Sequence, residues 1–372
     1  TGLSQSIRLT DDANPGDNDF TVDSAGTGGV SAINFTSPSG SISVIAGDSG
    51  DTITVDDSAS GAAATIDVLG GLGDDTLLGS DSANTWIISS ADAGTVNDIA
   101  FSDIENLAGG SGDDTFYVSS SGSISGEISG GPGTDTLTAV DTANVWEITG
   151  TNAGTLNSVP FVGIENLTGG AGDDIFRFLG GSISGTIEGG GGQNSLDYSG
   201  SAVAATIDLE AATATGAYQF ANVGRIIGSG NSDTLIGSNL SNLWTIDGVD
   251  TGTVGGVSFE NIENLQGGTA EDSFAVALAG QVTGFVSGGL GADSLTGADS
   301  DNIWNIDGAD TGQFNGIVFD DFEDLGGGQG QDAVLVAVGG VLSGGLDGRG
   351  GTDRVRGADK PNHWNIAGGG DG

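Results

Sequence analysis

The chain has 372 residues, 51 of them acidic against 7 basic, a formal net charge of −44, and neither cysteine nor methionine. That acidity excludes nucleic acid and anionic membrane surfaces as partners, because both repel it, and favours cations. The lack of cysteine and a lone histidine, His363, rule out disulfide staples and leave a zinc site almost without ligands.

No apolar run approaches the ~20 residues of a membrane helix, so no membrane insertion is expected. No basic-then-apolar leader opens the chain. A first residue Thr1 without any methionine reads as a mature or excerpted piece of something longer.

Residues 1–45 are irregular. Asp11 to Asp17 reads as a loop, and Phe20, Val22, Ile33, Phe35, Ile42 and Val44 suggest two less regular coils. From residue 46 a glycine-rich six-residue turn recurs. Its copies are 46–51, 70–75, 109–114, 130–135, 169–174, 189–194, 228–233, 267–272, 288–293, 327–332 and 348–353. All close on Asp except the sixth, which closes on Asn194. Starts at 70, 109, 130, 169 and 189 are 39, 21, 39 and 20 residues apart, multiples of one coil of about 20. Trp86 and Trp146 are 60 apart, as are Trp244, Trp304 and Trp364, so the longer repeat spans three such coils.

Within a repeat the period is two. Trp86/Ile88, Trp146/Ile148, Trp244/Ile246, Trp304/Ile306 and Trp364/Ile366 are apolar, with mostly polar residues between them, as in a strand with one buried side. Strands also follow the turns, placing Leu77, Phe116, Leu137, Phe274 and Leu295 inward, and a third set reads Ile104-Glu-Asn-Leu107 and its copies. No stretch sustains a 3.6-residue period, and glycine interrupts every window. The predicted fold is all-β: a right-handed parallel β-helix or β-roll solenoid of about 20 residues per coil. Each strand is expected to pair with its equivalent one coil on. Residues 1–45 would form irregular N-terminal coils and 46–372 the repeat solenoid, in one elongated domain. The tryptophans are expected to plug the core.

The turns suit a hard cation. Glycines admit positive φ and let carbonyls converge, while the closing Asp adds a carboxylate. Calcium takes six to eight oxygens at about 2.3–2.6 Å, which two successive coils can supply; magnesium demands a stricter octahedron.

The segments Gly70–Leu77, Gly109–Phe116, Gly130–Leu137, Gly169–Phe176 and Gly288–Leu295 resemble the repeats-in-toxin (haemolysin-type) nonapeptide Gly-Gly-x-Gly-x-Asp-x-apolar-x, and the other turns resemble it loosely. The longer spacing is similar to that of repeat regions in large bacterial surface proteins and adhesins. The resemblance implies calcium (Ca2+) at Asp75, Asp114, Asp135, Asp174 and Asp293, with the adjoining Asp74, Asp113 and Asp173 as companions. Asp51, Asp233, Asp272, Asp332 and Asp353 are secondary candidates, and Asn194 marks an empty turn. It also implies secretion to the bacterial cell surface, with folding coupled to external calcium.

Asp92, Asn152, Asp250 and Asp310, in the intervening coil, are expected either to fill part of the cation ladder or to cap their own turns, and the edge of Asp81, Asp141, Asn239, Asp299 and Asp359 to cap its turns. Glu105, Glu165, Glu263 and Glu323 are expected to face solvent. Arg349, with Arg354, Arg356 and Lys360, would dock an acidic flank of another subunit or replace calcium in the last turn. The expected function is a non-enzymatic structural or adhesive module, a calcium-stabilised stalk. Its expected partners are calcium and a cell-surface or matrix polysaccharide. The alternatives are a subunit that docks end to end with its own copies, and, last, a polysaccharide-modifying β-helix enzyme. An enzyme would need an Arg, Lys, His or Tyr cluster that the spacing does not offer.

Overall fold

The computed structural model describes residues 6–11, 20–25, 33–35, 40–56 and 65–359. These form forty strands and no helix. The expected all-β solenoid is present: strands stack in parallel, in register, coil upon coil. Most of the loop expected over 11–17, together with His363, Trp364 and Ile366, lies outside the described residues. Cα packing divides the chain into one unit of 1–195 with 216–222, and a second of 196–215 with 223–372.

In the first unit the chain alternates between two parallel sheets whose inward residues line the core. One sheet aligns Ile53, Leu77, Leu107, Ile128 and Phe161. The other aligns Trp86, Phe116, Leu137, Leu167, Ile187 and Phe220. The second unit repeats the plan, with Trp244, Phe274, Leu295, Leu325 and Leu346 in one sheet and Ile207, Leu235, Leu265, Val286 and Phe319 in the other. Alternation of buried and exposed positions follows from the strand period of two.

The coil is not uniform. Partners in register lie 21 residues apart at Leu107 and Ile128, but 30 apart at Leu77 and Leu107 and 33 apart at Ile128 and Phe161. The long coils carry an antiparallel meander that the 20-residue period did not reveal. Thr85–Ser90, Ala93–Val96 and Ile99–Ser102 run back and forth within one sheet, as do Val145–Gly150, Ala153–Leu156 and Val159–Val162. The second unit has equivalent meanders at 243–260 and 303–320. From Trp86 to Trp146 the chain crosses between sheets five times, through Leu107, Phe116, Ile128 and Leu137. The 60-residue repeat is therefore two and a half coils rather than three, and Trp146 falls in the sheet opposite Trp86. Trp244 and Trp304 are likewise in opposite sheets of the second unit.

Each meander turns on two residues of positive φ: Asn97/Asp98, Asn157/Ser158, Gly255/Gly256 and Asn315/Gly316. Both central residues of a type I′ hairpin need that conformation, which Asn, Asp and Gly tolerate best. Asn97 fixes its hairpin further. Its Oδ1 accepts the Thr85 N–H at 2.9 Å and its Nδ2 donates to Asn84 Oδ1 at 2.8 Å.

The described tryptophans are fully buried, as expected of core plugs. Trp146 stacks on Phe176, one coil on, with ring centroids 5.7 Å apart, and meets Phe161 of its own meander edge-on at 5.9 Å. Trp86 and Trp244 repeat this sandwich with Phe116 and Phe101, and with Phe274 and Phe259. Trp146→Ala should cost about 3–5 kcal/mol, and Trp146→Phe much less, because only the alanine leaves a large void. Urea unfolding followed by circular dichroism checks both variants.

Candidate metal centre

A strand that enters its sheet from a turn leaves a backbone N–H at the corner without a ladder partner, and a buried N–H must be satisfied. Here the turn of the next coil supplies the acceptor. The Asp114 N–H donates to Asp135 Oδ1 at 2.7 Å, the Asp51 N–H to Asp75 Oδ1 at 2.7 Å, and the Asn84 N–H to Asp114 Oδ1 at 2.7 Å. The Asn144 N–H reaches Asp174 Oδ1 at 2.8 Å. In the second unit the Asp272 N–H reaches Asp293 Oδ1 at 2.6 Å, the Asn242 N–H reaches Asp272 Oδ1 at 2.6 Å, and the Asp332 N–H reaches Asp353 Oδ1 at 3.0 Å.

Where the next coil presents an Ile-Glu-Asn-Leu strand instead of a turn, its glutamate takes over. Glu105, Glu165, Glu263 and Glu323 accept the N–H groups of Asp75, Asp135, Asp233 and Asp293 through Oε2 at 2.7–2.8 Å. They are half-buried parts of the same ladder, not a solvated face.

This bonding fixes where the second carboxylate oxygen goes. Asp75, Asp114, Asp135, Asp174 and Asp293 are wholly buried, and the Oδ2 of each has no hydrogen-bond partner. Beside it lies the carbonyl oxygen of the next coil: Asp103, Gly130, Gly163, Gly189 and Asp321 respectively. Both oxygens crowd the Cα of the glycine that opens the turn, so a Cβ at Gly130 would meet the Gly163 carbonyl and Asp135 Oδ2 together. That close approach is why the turn starts with glycine.

Asparagine in the same place shows what the position demands. Asn194 Oδ1 accepts the Asp174 N–H at 3.0 Å while its Nδ2 donates to the carbonyls of Asn222 at 2.9 Å and Gly191 at 3.0 Å. Asn84 Nδ2 donates to the Gly109 carbonyl at 2.8 Å, and Asn144 Nδ2 to that of Gly169 at 2.9 Å. An amide thus satisfies the carbonyl that an open aspartate leaves beside an unpaired Oδ2. Asn194 closes its turn by itself.

A third arrangement appears at Asp233, Asp272 and Asp332. Their Oδ2 atoms accept the N–H of the second residue of their own turn: Ser229 at 2.6 Å, Gly268 at 2.7 Å and Gly328 at 3.1 Å. The backbone explains the difference. In the five open turns that second residue is a left-handed glycine, φ 95–124° at Gly71, Gly110, Gly131, Gly170 and Gly289. Ser229, Gly268 and Gly328 are not left-handed, and their N–H groups face the carboxylate.

The other expected ligands are placed differently. Asp74, Asp113 and Asp173 are exposed; Asp113 and Asp173 accept the N–H groups of Thr134 and Gln193 in the following coil. Asp51 is buried at the start of a ladder, whereas Asp353 is exposed at the last described rung. Arg349 does not enter the Asp353 turn, because its guanidinium donates to Thr296 Oγ1 at 3.1 Å. Asp92, Asn152, Asp250 and Asp310 accept from the next coil, at Ser125, Ser184, Thr283 and Ser343, rather than capping their own turns. Among the described residues no group of three or more His, Cys, Asp or Glu side chains converges. An ion in an open turn would therefore take one carboxylate, with carbonyls completing the set.

Burial weakens these groups as acids. Burial pushes Asp135, Asp174 and Asp293 up to about 6 and raises Asp75 and Asp114 as well. A proton can thus relieve an open turn, as can a cation. The chain matches no protein-family model and no curated protein sequence.

Because the folded value lies above the unfolded one near 3.8, the fold binds protons more tightly than the unfolded chain. The stability this contributes is complete below about pH 3.8, falls as pH rises through 6, and is lost above it. Without divalent cations the thermal midpoint should rise as pH is lowered from 7.5 to 5, with most of the change below about pH 6, as scanning calorimetry would record.

Proposed function

We propose that the chain is a non-enzymatic structural or adhesive module, held together by calcium, from a secreted protein of the bacterial cell surface. The observation that carries the calcium reading is the set of five buried Oδ2 atoms that have no hydrogen-bond donor and lie beside a carbonyl oxygen of the next coil. A buried acceptor without a donor costs about 1–3 kcal/mol, and more when charged. A hard cation removes that cost at all five positions and offsets part of a net charge of −44. Carboxylate and carbonyl ligands without nitrogen or sulfur suit Ca2+, and the irregular nest suits it better than Mg2+. One carboxylate per nest supports weak binding, on the order of 10⁻⁴–10⁻³ M, the range of extracellular calcium modules.

The structural reading gains support from the basic and phenolic residues. Arg8, Arg177 and Arg225 pair with Asp56, Glu147 and Glu260. Tyr198 is buried, with its hydroxyl donating to the Thr215 carbonyl at 2.7 Å. None of these forms the group of acid, base and cation that acts on a uronate polymer. Secretion and the surface location rest on the likeness of the glycine-aspartate turns to the repeats-in-toxin nonapeptide.

At ten times its dissociation constant each calcium contributes about 1.4 kcal/mol, so five sites should raise the thermal midpoint by on the order of 10 °C. Magnesium at the same concentration should raise it by less than half as much. Circular dichroism melts in chelator, calcium and magnesium test this; equal midpoints in chelator and calcium would refute the calcium reading.

A further inference from the structure

We infer that the two units differ in their dependence on cation: the first needs it to close its turns, and the second closes most of its turns itself. The inference rests on the calcium reading above and deepens it. Four of the five open carboxylates, Asp75, Asp114, Asp135 and Asp174, belong to the first unit, where they close four consecutive glycine turns. The second unit holds one, Asp293. Its turns at Asp233, Asp272 and Asp332 are sealed by N–H groups of their own backbone, and at Asp233 the Ser229 hydroxyl adds bonds of 2.9 and 3.1 Å.

The physical difference is local. A left-handed second glycine leaves Oδ2 with no donor from its own turn, and all four open turns of the first unit have one. The sealed turns are satisfied before any ion arrives. Removing the ion therefore unpairs four buried carboxylates in the first unit and one in the second. Stability within a solenoid is a sum of coil and neighbour terms, so such a bias acts on the coils that contain it. The chain then has a cation-ordered part and a part ordered without cation, and calcium concentration sets how much of it is rigid.

Hydrogen exchange of the full chain, read by mass spectrometry on peptides of each unit, tests this. Moving from calcium to chelator should accelerate exchange of strand amides in 65–188 by at least about tenfold more than those in 225–336. Equal acceleration in both units would overturn the inference while leaving the calcium reading intact. Indifference of both units to calcium would overturn the two together. The variant carrying Asp114→Asn, Asp135→Asn and Asp174→Asn gives these turns the amide closure of Asn194. It should keep residues 106–188 protected in chelator, and exchange there as fast as in the parent chain would contradict the inference. Should that variant fail to fold, Asp293→Asn serves instead: the inference requires it to leave the 65–188 response to calcium unchanged.

Discussion

A carboxylate oxygen of one coil accepting the corner N–H of the coil before it is the bond on which the rest of the structure depends. Parallel strands of three or four residues carry few ladder bonds, and each strand enters from a turn whose first N–H would otherwise be buried and unpaired. Along the run from Asn84 to Glu165, Asp114, Asp135 and Glu165 each accept the corner N–H of the coil before, and Asn194 does the same for Asp174. Aspartate, glutamate and asparagine differ in reach and charge, yet each places an oxygen at the same corner. Turn composition follows from it: the carboxylate and the next carbonyl occupy the space of a Cβ, so glycine opens the turn.

The same bond creates the chemistry. Once Oδ1 is committed to the previous coil, Oδ2 must point at the carbonyl of the next, where only a donor or a cation is tolerable. The molecule meets this in three ways. Asn84, Asn144 and Asn194 bring an amide, and Asp233, Asp272 and Asp332 turn to a neighbouring backbone N–H. Asp75, Asp114, Asp135, Asp174 and Asp293 do neither, and burial accordingly disfavours their charged form. Acidity in this chain is thus both a structural device and a site for ions.

Much of this is legible in the sequence. The alternation around Trp86 and Ile88 identifies a one-sided strand, and recurrent Gly-Asp turns identify a solenoid, because both are local signals. The meanders escape a search for one period, since their extra strands stay within a sheet and shift the register from about 20 to 30–33 residues. Their signal was nonetheless present: Asn97-Asp98, Asn157-Ser158, Gly255-Gly256 and Asn315-Gly316 stand between apolar residues as type I′ hairpin pairs. Missing them makes the repeat three coils instead of two and a half. The glutamates of the Ile-Glu-Asn-Leu strands look like surface residues until the register places them beside the N–H of a turn 30 residues away. Whether a turn is open or sealed depends on φ at its second residue. Gly327 to Asp332 is sealed although its glycine spacing is that of the open turns, so composition alone does not separate the two.

Crystals grown in calcium and measured at a wavelength where calcium scatters anomalously give the most direct test. The account predicts peaks within about 2.3–2.6 Å of Oδ2 of Asp75, Asp114, Asp135, Asp174 and Asp293, and none at Asp233, Asp272 or Asp332. Peaks at the sealed turns, or none at the open ones, would contradict it.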